Sequence, residues 1–260
     1  MIDSHCHLEQ KDYDKDLDII IDKCKKEGLK AIITSCANPK YLKKTLEIVK
    51  MYPGYVFCTA GIHPEYIKEF SDKDIDDFID TLRVNKDKIV GIGEVGLDYK
   101  WVKEPEWQEK QKILFVKMIK LAKELDKPLV IHSRDALKET IEILEEQGAT
   151  NVMLHMWGGH DLMDKVNSLG YNVSMNSIIM RSKSYRKVIK KIPMDKLMLE
   201  TDSPWMAIKK MEDGYMLDNT SRNDPTTIRL VAEKIAELKD ITFEEVWNSC
   251  GKNSVQFFKL

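Results

Sequence analysis

His5 and His7 stand one residue apart, Glu94 sits between glycines in Gly93-Glu94-Val95-Gly96, and His132, His155 and Asp202 each follow a short apolar run. Imidazole and carboxylate in this ratio suit a divalent transition metal, and a shared carboxylate suits two. Two ions about 3.5–4 Å apart activate a water and stabilise an anionic transition state, which is the chemistry of hydrolysis. Five of the six histidines (His5, His7, His63, His132 and His155) fall at the ends of predicted strands. The sixth, His160, opens a predicted helix and reads as a capping or surface residue. Each residue alone has a structural alternative: His132 or His155 as a satisfied core histidine, Asp202 as a turn cap before Ser203-Pro204. Glu94 is harder to explain that way, because a carboxylate buried after an apolar run is costly unless paired or metal-bound. Together the candidate ligand set is His5, His7, Glu94, His132, His155 and Asp202.

These residues need elements that bring them to one place. Apolar runs predict strands at Met1–Cys6, Ala31–Cys36, Tyr55–Ala60, Ile89–Glu94, Pro128–His132, Val152–His155, Asn172–Met175 and Leu197–Glu200. Between them, helical stripes cover Asp14–Glu27, Pro39–Met51, Asp74–Lys86, Pro105–Leu125, Asp135–Gln147, Asp161–Leu169 and Tyr185–Lys191. Two further helices, Thr226–Leu238 and Phe243–Phe258, close the chain. Eight alternations without a GxGxxG or a P-loop predict an α/β fold, a single-domain (β/α)8 TIM-type barrel over residues 1–260, rather than an open nucleotide-binding sheet. In such a barrel the strand ends carrying the histidines meet on one face, where active sites lie. Strand alternation turns His5 and His7 the same way and Cys6 toward the helices. Glu200 shares the face of Asp202, in reach of a ligand histidine. One irregular stretch, 204–224, overhangs the same face.

Composition bounds the rest. The 260 residues match the ~250 typical of such a barrel. With 43% hydrophobic and 32% charged residues the chain is globular, which excludes disorder, collagen and a disulfide scaffold. A net charge of −2 excludes a cationic nucleic-acid coat but leaves room for a local basic patch. No apolar run approaches a membrane span. The opening Met1-Ile2-Asp3-Ser4-His5 lacks the features of a signal peptide, and the five cysteines are scattered without a CxxC pair. Reduced thiols in the cytoplasm are therefore expected. Of the basic residues after the seventh strand, Arg181 is nearest the mouth, while Lys187–Lys191 reads as a solvated helix face. Lys209 and Lys210 follow, with Trp205 as a candidate stacking platform.

Five motifs in register carry a resemblance over essentially the whole chain: Ile2-Asp3-Ser4-His5-Cys6-His7-Leu8, Gly61-Ile62-His63-Pro64, Gly93-Glu94-Val95-Gly96-Leu97-Asp98, Ile131-His132-Ser133-Arg134-Asp135-Ala136 and Glu200-Thr201-Asp202-Ser203-Pro204. With Arg222-Asn223-Asp224-Pro225 they resemble the TatD-type metal-dependent deoxyribonucleases of the amidohydrolase superfamily. The resemblance implies a metallo-dependent hydrolase barrel with two divalent metal ions. His5, His7 and Asp202 would serve mainly one ion and His132 and His155 the other, with Glu94 bridging. It implies DNA as partner, as a single strand or strand end, cleaved by a 3'-5' exonuclease-like activity or at damage. It points to Mg2+, where ligand type alone favours Zn2+ or Mn2+. Asp202 and Glu94 are the expected catalytic residues, Asp202 as general base. His63, Arg134 and, more weakly, Arg222 are the expected phosphate contacts. The alternative is a small-molecule amide, ester or phosphoester hydrolase of the same superfamily. One departure stands out: Met156-Trp157-Gly158-Gly159 replaces the usual Cys-Phe-Ser-Gly, which predicts a changed substrate-facing loop. Metal identity, DNA against RNA, exo- against endo-cleavage and oligomeric state are not fixed by the sequence.

Overall fold

Short β-branched runs and amphipathic stripes alternate along the chain, and each run becomes a parallel strand followed by a helix. A computed structural model describes residues 1–211, 214–218 and 220–260. In chain order the elements are β1 (Ile2–Cys6), α1 (Leu17–Lys26), β2 (Ala31–Cys36), α2 (Leu42–Met51), β3 (Val56–Ala60), α3 (Asp72–Val84), β4 (Gly91–Asp98) and α4 (Pro105–Glu124). Then come β5 (Leu129–Arg134), α5 (Leu137–Glu146), β6 (Val152–Leu154), α6 (Met163–Ser168), β7 (Asn172–Met175), α7 (Lys183–Lys191) and β8 (Leu197–Leu199). A hairpin, β9 (Ile208–Met211) with β10 (Gly214–Leu217), precedes α8 (Ile228–Lys239) and α9 (Phe243–Phe258). The first eight strands pair in sequence order, all parallel, into a nearly closed barrel.

The seam between β8 and β1 is held by side chains and strand ends. Ser4 Oγ donates to the Leu199 carbonyl at 2.7 Å, and the buried Asp3 carboxylate accepts from Thr201 N and Oγ1 at 3.1 and 2.5 Å. Above them Asp202 N donates to the His5 carbonyl at 3.0 Å and His7 N to that of Ser203 at 2.7 Å. The histidine strand and the aspartate turn are thus tied directly to each other.

Alternate strand positions fill two different layers. Ile2, Ala31, Ile33, Val130, Met153 and Met198 pack together with Phe257 and Phe258 of α9, an apolar plug inside the barrel. Their neighbours Ile32, Ile131, Leu154 and Leu197 pack in the larger cluster that joins the sheet to the helices. Two residues beyond the plug, the inward positions become His132 on β5, His155 after β6 and Glu200 after β8.

Two register shifts complete this layer. Asp3 pairs with Ile32 but Cys6 with Thr34, so β1 uses three residues against two. The inward face therefore passes from the even position Ile2 to the odd positions His5 and His7. Ile92 pairs with Leu129 but Val95 with Ile131, and the same surplus residue turns Glu94 inward. Extra residues of this kind re-aim side chains beside active sites.

The strand β4 runs four residues further than the expected Ile89–Glu94. It continues because Gly96 takes φ +143° and lies flat against β5, where a Cβ would stand 2.0 Å from the His132 carbonyl oxygen. Gly96→Ala is therefore expected to destabilise by more than about 1 kcal/mol, lowering the thermal midpoint by at least about 2 °C. An unchanged midpoint in a thermal melt would contradict this account of the strand.

Other boundaries differ for local reasons. The helix expected from Asp14 starts at Leu17, because Tyr13 is buried in a separate 3₁₀ turn and donates its hydroxyl to the Asn223 carbonyl at 2.8 Å. A 3₁₀ turn, Pro39–Tyr41, likewise precedes α2. The stretch expected to be irregular contains the antiparallel hairpin β9–β10; its Glu212, Asp213 and Asn219 lie outside the described residues. The five cysteines are buried free thiols. Among the described residues no helix is long and apolar enough to cross a membrane.

Candidate metal centre

All six expected ligands converge at the open end of the barrel. Glu94 lies in their midst, 4% exposed, and its two oxygens face different groups. Oε2 stands 3.4 Å from His5 Nε2 and 3.8 Å from His7 Nε2. Oε1 stands 2.9 Å from His132 Nδ1 and 3.4 Å from His155 Nε2. Asp202 Oδ1 closes the first group at 3.5 Å from His7 Nε2 and 3.8 Å from His5 Nε2.

The outer ring nitrogens fix which nitrogen looks inward. His7 Nδ1 bonds the Ser35 carbonyl at 2.9 Å and lies 3.3 Å from the buried Glu9, which is itself held by Thr34 Oγ1. His155 Nδ1 bonds Glu200 at 3.0 Å. Ser174 and Asn176 of the β7 end donate to that same carboxylate. His132 turns Nε2 to Asp98 Oδ2 at 2.9 Å, leaving Nδ1 toward Glu94. Partners of this sort set the tautomer and orientation of metal-binding imidazoles.

His63 differs. Its Nδ1 accepts the Glu65 backbone N–H at 3.2 Å, so the neutral ring carries its proton on Nε2, 3.5 Å from Glu94 Oε1. It presents a hydrogen-bond donor to the cavity, which suits an incoming oxygen better than a cation.

Charges follow the geometry. Burial alone would raise the Glu94 pKa, but His63, His155, His132 and His5 outweigh it and hold the carboxyl well below its usual range. Asp202 is likewise lowered against its burial, mainly by the His7 hydrogen bond. Burial would lower His155, yet Glu200 and Glu94 raise it to about 10. Burial, with His132 second, pushes His63 down to about 3. His5 is lowered by burial and by His155, and its Nε2 is buried without a hydrogen-bond partner.

An unpartnered buried nitrogen and two ionised carboxylates among imidazoles form a donor set that fits divalent cations. His5, His155 and Asp202 offer atoms within 4.8 Å of one another, as do His5, His7 and Glu94, and as do Glu94, His132 and His155.

The centre opens into a cavity of about 610 Å³, whose lining includes His63, Arg134, Arg181, Trp101, Trp205 and Tyr185. Arg222 is elsewhere. Its fork is spent on Asp16 at 2.8 and 2.6 Å and on the Asp12 carbonyl, above the Tyr13 ring. The phosphate contact expected of it is not available in this arrangement. Arg222→Ala is expected to leave kcat/KM within about twofold and to lower the thermal midpoint by no more than about 3 °C, as befits an exposed ion pair. A tenfold loss of kcat/KM would return Arg222 to the site.

The divergent loop after β6 also differs from expectation. Trp157 is 1% exposed and packs inward; a Cβ on Gly159 would stand 2.7 Å from its ring. Only Met156 of that loop lines the cavity. Sequence reasoning missed Asp98, Glu9, Gln111 and Trp101. Asp98 had a readable signal, since it lies two and four residues beyond Gly96 and Glu94 on one strand. Gln111 lies on the buried face of α4 and bonds both Asp98 N and the Pro64 carbonyl, tying the β4 end to the His63 turn.

The chain matches the family model described as TatD related DNase over residues 2–259. It is 34% identical over 268 residues to the human protein named deoxyribonuclease TATDN3, covering 99% of this chain and 94% of that one. It is 31% identical over 265 residues to the uncharacterized metal-dependent hydrolase YabD of Bacillus subtilis (strain 168), covering 100% and 99%. Among solved structures, the TatD homologue YJJV of Escherichia coli K12 shares the fold with a TM-score of 0.88 at 24% identity, over 100% of this chain and 98% of that one.

Proposed function

The chain belongs to the family of TatD-related DNases, and from that membership we propose that it is a divalent-metal-dependent deoxyribonuclease acting on phosphodiester bonds of a single strand or strand end. The division of Glu94 between two histidine groups carries this reading, because one carboxylate facing both ways suits a pair of ions. His5, His7 and Asp202 would hold one ion, His132 and His155 the other, and Glu94 both; Mg2+, Mn2+ and Zn2+ all fit these donors. Bound there, the ions supply Lewis acidity toward a phosphoryl oxygen and lower the pKa of a nearby water.

The protein's own groups do the rest. Asp202, kept ionised chiefly by His7, orients the attacking water and accepts its proton at the carboxylate, while the P–O bond to the departing sugar oxygen breaks and that oxygen takes up a proton from solvent. His63 donates Nε2–H to a phosphate oxygen. Arg134, exposed at the rim, offers a forked guanidinium to the same phosphate or its neighbour. Glu9, Asp98 and Glu200 hold His7, His132 and His155 in the orientations that face Glu94.

The test is metal-stripped protein reloaded with Mg2+, Mn2+ or Zn2+ and assayed on a single-stranded oligodeoxynucleotide, a matching RNA and p-nitrophenyl acetate. The oligodeoxynucleotide is expected to be cleaved, with kcat/KM falling steeply as salt rises. Intact oligonucleotides beside a cleaved carboxyl ester would overturn the reading in favour of a small-molecule hydrolase.

A further inference from the structure

Two tryptophans stand where a soluble protein ordinarily hides them. Trp101 is 64% exposed and Trp205 is 49% exposed, and both line the cavity above the metal centre. Trp101 follows β4 and Trp205 follows β8. Four strands apart in an eight-stranded barrel, these loops rise from opposite sides of the mouth.

Each indole is tied to the centre by its own backbone. Trp101 N donates to Asp98 Oδ1 at 2.7 Å, while Oδ2 of that carboxylate holds His132. Trp205 N donates to the Asp202 carbonyl at 3.0 Å, and its ring meets the His7 ring edge-on at 4.8 Å. The Arg134 guanidinium lies 5.6 Å over the Trp101 ring. Arg134 and Arg181, both exposed on this rim, have no carboxylate partner among the described residues.

We infer that Trp101 and Trp205 bracket two unpaired nucleobases, one on each side of the phosphodiester bond at the metal centre, while Arg134 and Arg181 take the flanking phosphates. This rests on the DNA reading above and names the feature that selects the single strand. Every base has a π-face, so stacking on an indole holds a strand without reading its sequence. A base inside a duplex has both faces occupied by its neighbours, so the bracket excludes paired DNA until an end frays.

A cycle of protein and substrate changes tests it, using short single-stranded oligodeoxynucleotides with one abasic tetrahydrofuran residue 5' or 3' of the cleaved bond. In the unmodified protein, removing either flanking base is expected to raise KM about tenfold, the scale of one base–aromatic stack, with a smaller change in kcat. Trp205→Ala should raise KM for the intact strand by a similar factor and lose its sensitivity to one abasic position. Trp101→Ala should do the same for the other position. Trp205→Phe and Trp101→Phe should restore both sensitivities, which a merely structural role would not require. Alanine variants that keep the KM of the unmodified protein, or that remain sensitive to both abasic positions, would overturn the bracket while DNA cleavage stands. An unmodified protein that cleaves no oligodeoxynucleotide with any of the metals would remove both readings together.

Discussion

Asp202→Asn is expected to lower kcat by about 10²–10⁴-fold, the range of a lost general base, with the fold intact. The substitution keeps the shape of the side chain and removes the charge that accepts the proton. It is well tolerated by the backbone, because Asp202 sits at φ +54°, a left-handed conformation in which Asn is as much at home as Asp. Its backbone bond to the His5 carbonyl is unaffected. The thermal midpoint should therefore move by less than about 2 °C. Steady-state rates beside a thermal melt decide the matter: undiminished kcat would remove Asp202 from the mechanism.

Glu94→Gln should be the more damaging change to the metal centre. The amide keeps one oxygen but replaces the other by an NH2 that must face one of the two histidine groups. Whichever way it turns, one group loses its anionic ligand and meets a donor. The expected outcome is retention of one ion or fewer after gel filtration, read by elemental analysis. A fall in kcat on the order of 10³-fold should accompany it, equal to about 4 kcal/mol of transition-state stabilisation. Two retained ions with undiminished activity would show that Glu94 does not bridge.

The barrel was legible because strand and helix periods differ so plainly, and the convergence of the six candidate ligands because polar residues closing apolar runs are costly unless used. Local chemistry was harder to read. His5 and His7 do face one way with Cys6 outward, but strict alternation from the plug residue Ile2 would have turned them out. The surplus residue in β1 that corrects this has no sequence signature. The longer β4 depended on a glycine conformation, and with it the Trp101 turn was hidden. Hairpin β9–β10 escaped because Ile208-Lys209-Lys210-Met211 does not alternate. The pairing of Arg222 was hidden for a different reason: its partner Asp16 lies 206 positions away, a contact set by the closure of the barrel.

Near-zero net charge takes on a definite sense in this arrangement. Among the described residues the cavity lining offers two arginines and two indoles rather than a broad basic face, an arrangement in keeping with the short strand-end contacts proposed above.

The most direct test titrates metal-stripped protein with Mn2+, following bound metal by electron paramagnetic resonance and cleavage of a single-stranded oligodeoxynucleotide in the same samples. Cleavage should be absent before metal is added, two sites should fill per chain, and activity should rise with occupation of the second. Full cleavage in the presence of excess chelator, or metal binding at both sites with the oligodeoxynucleotide left whole, would contradict it.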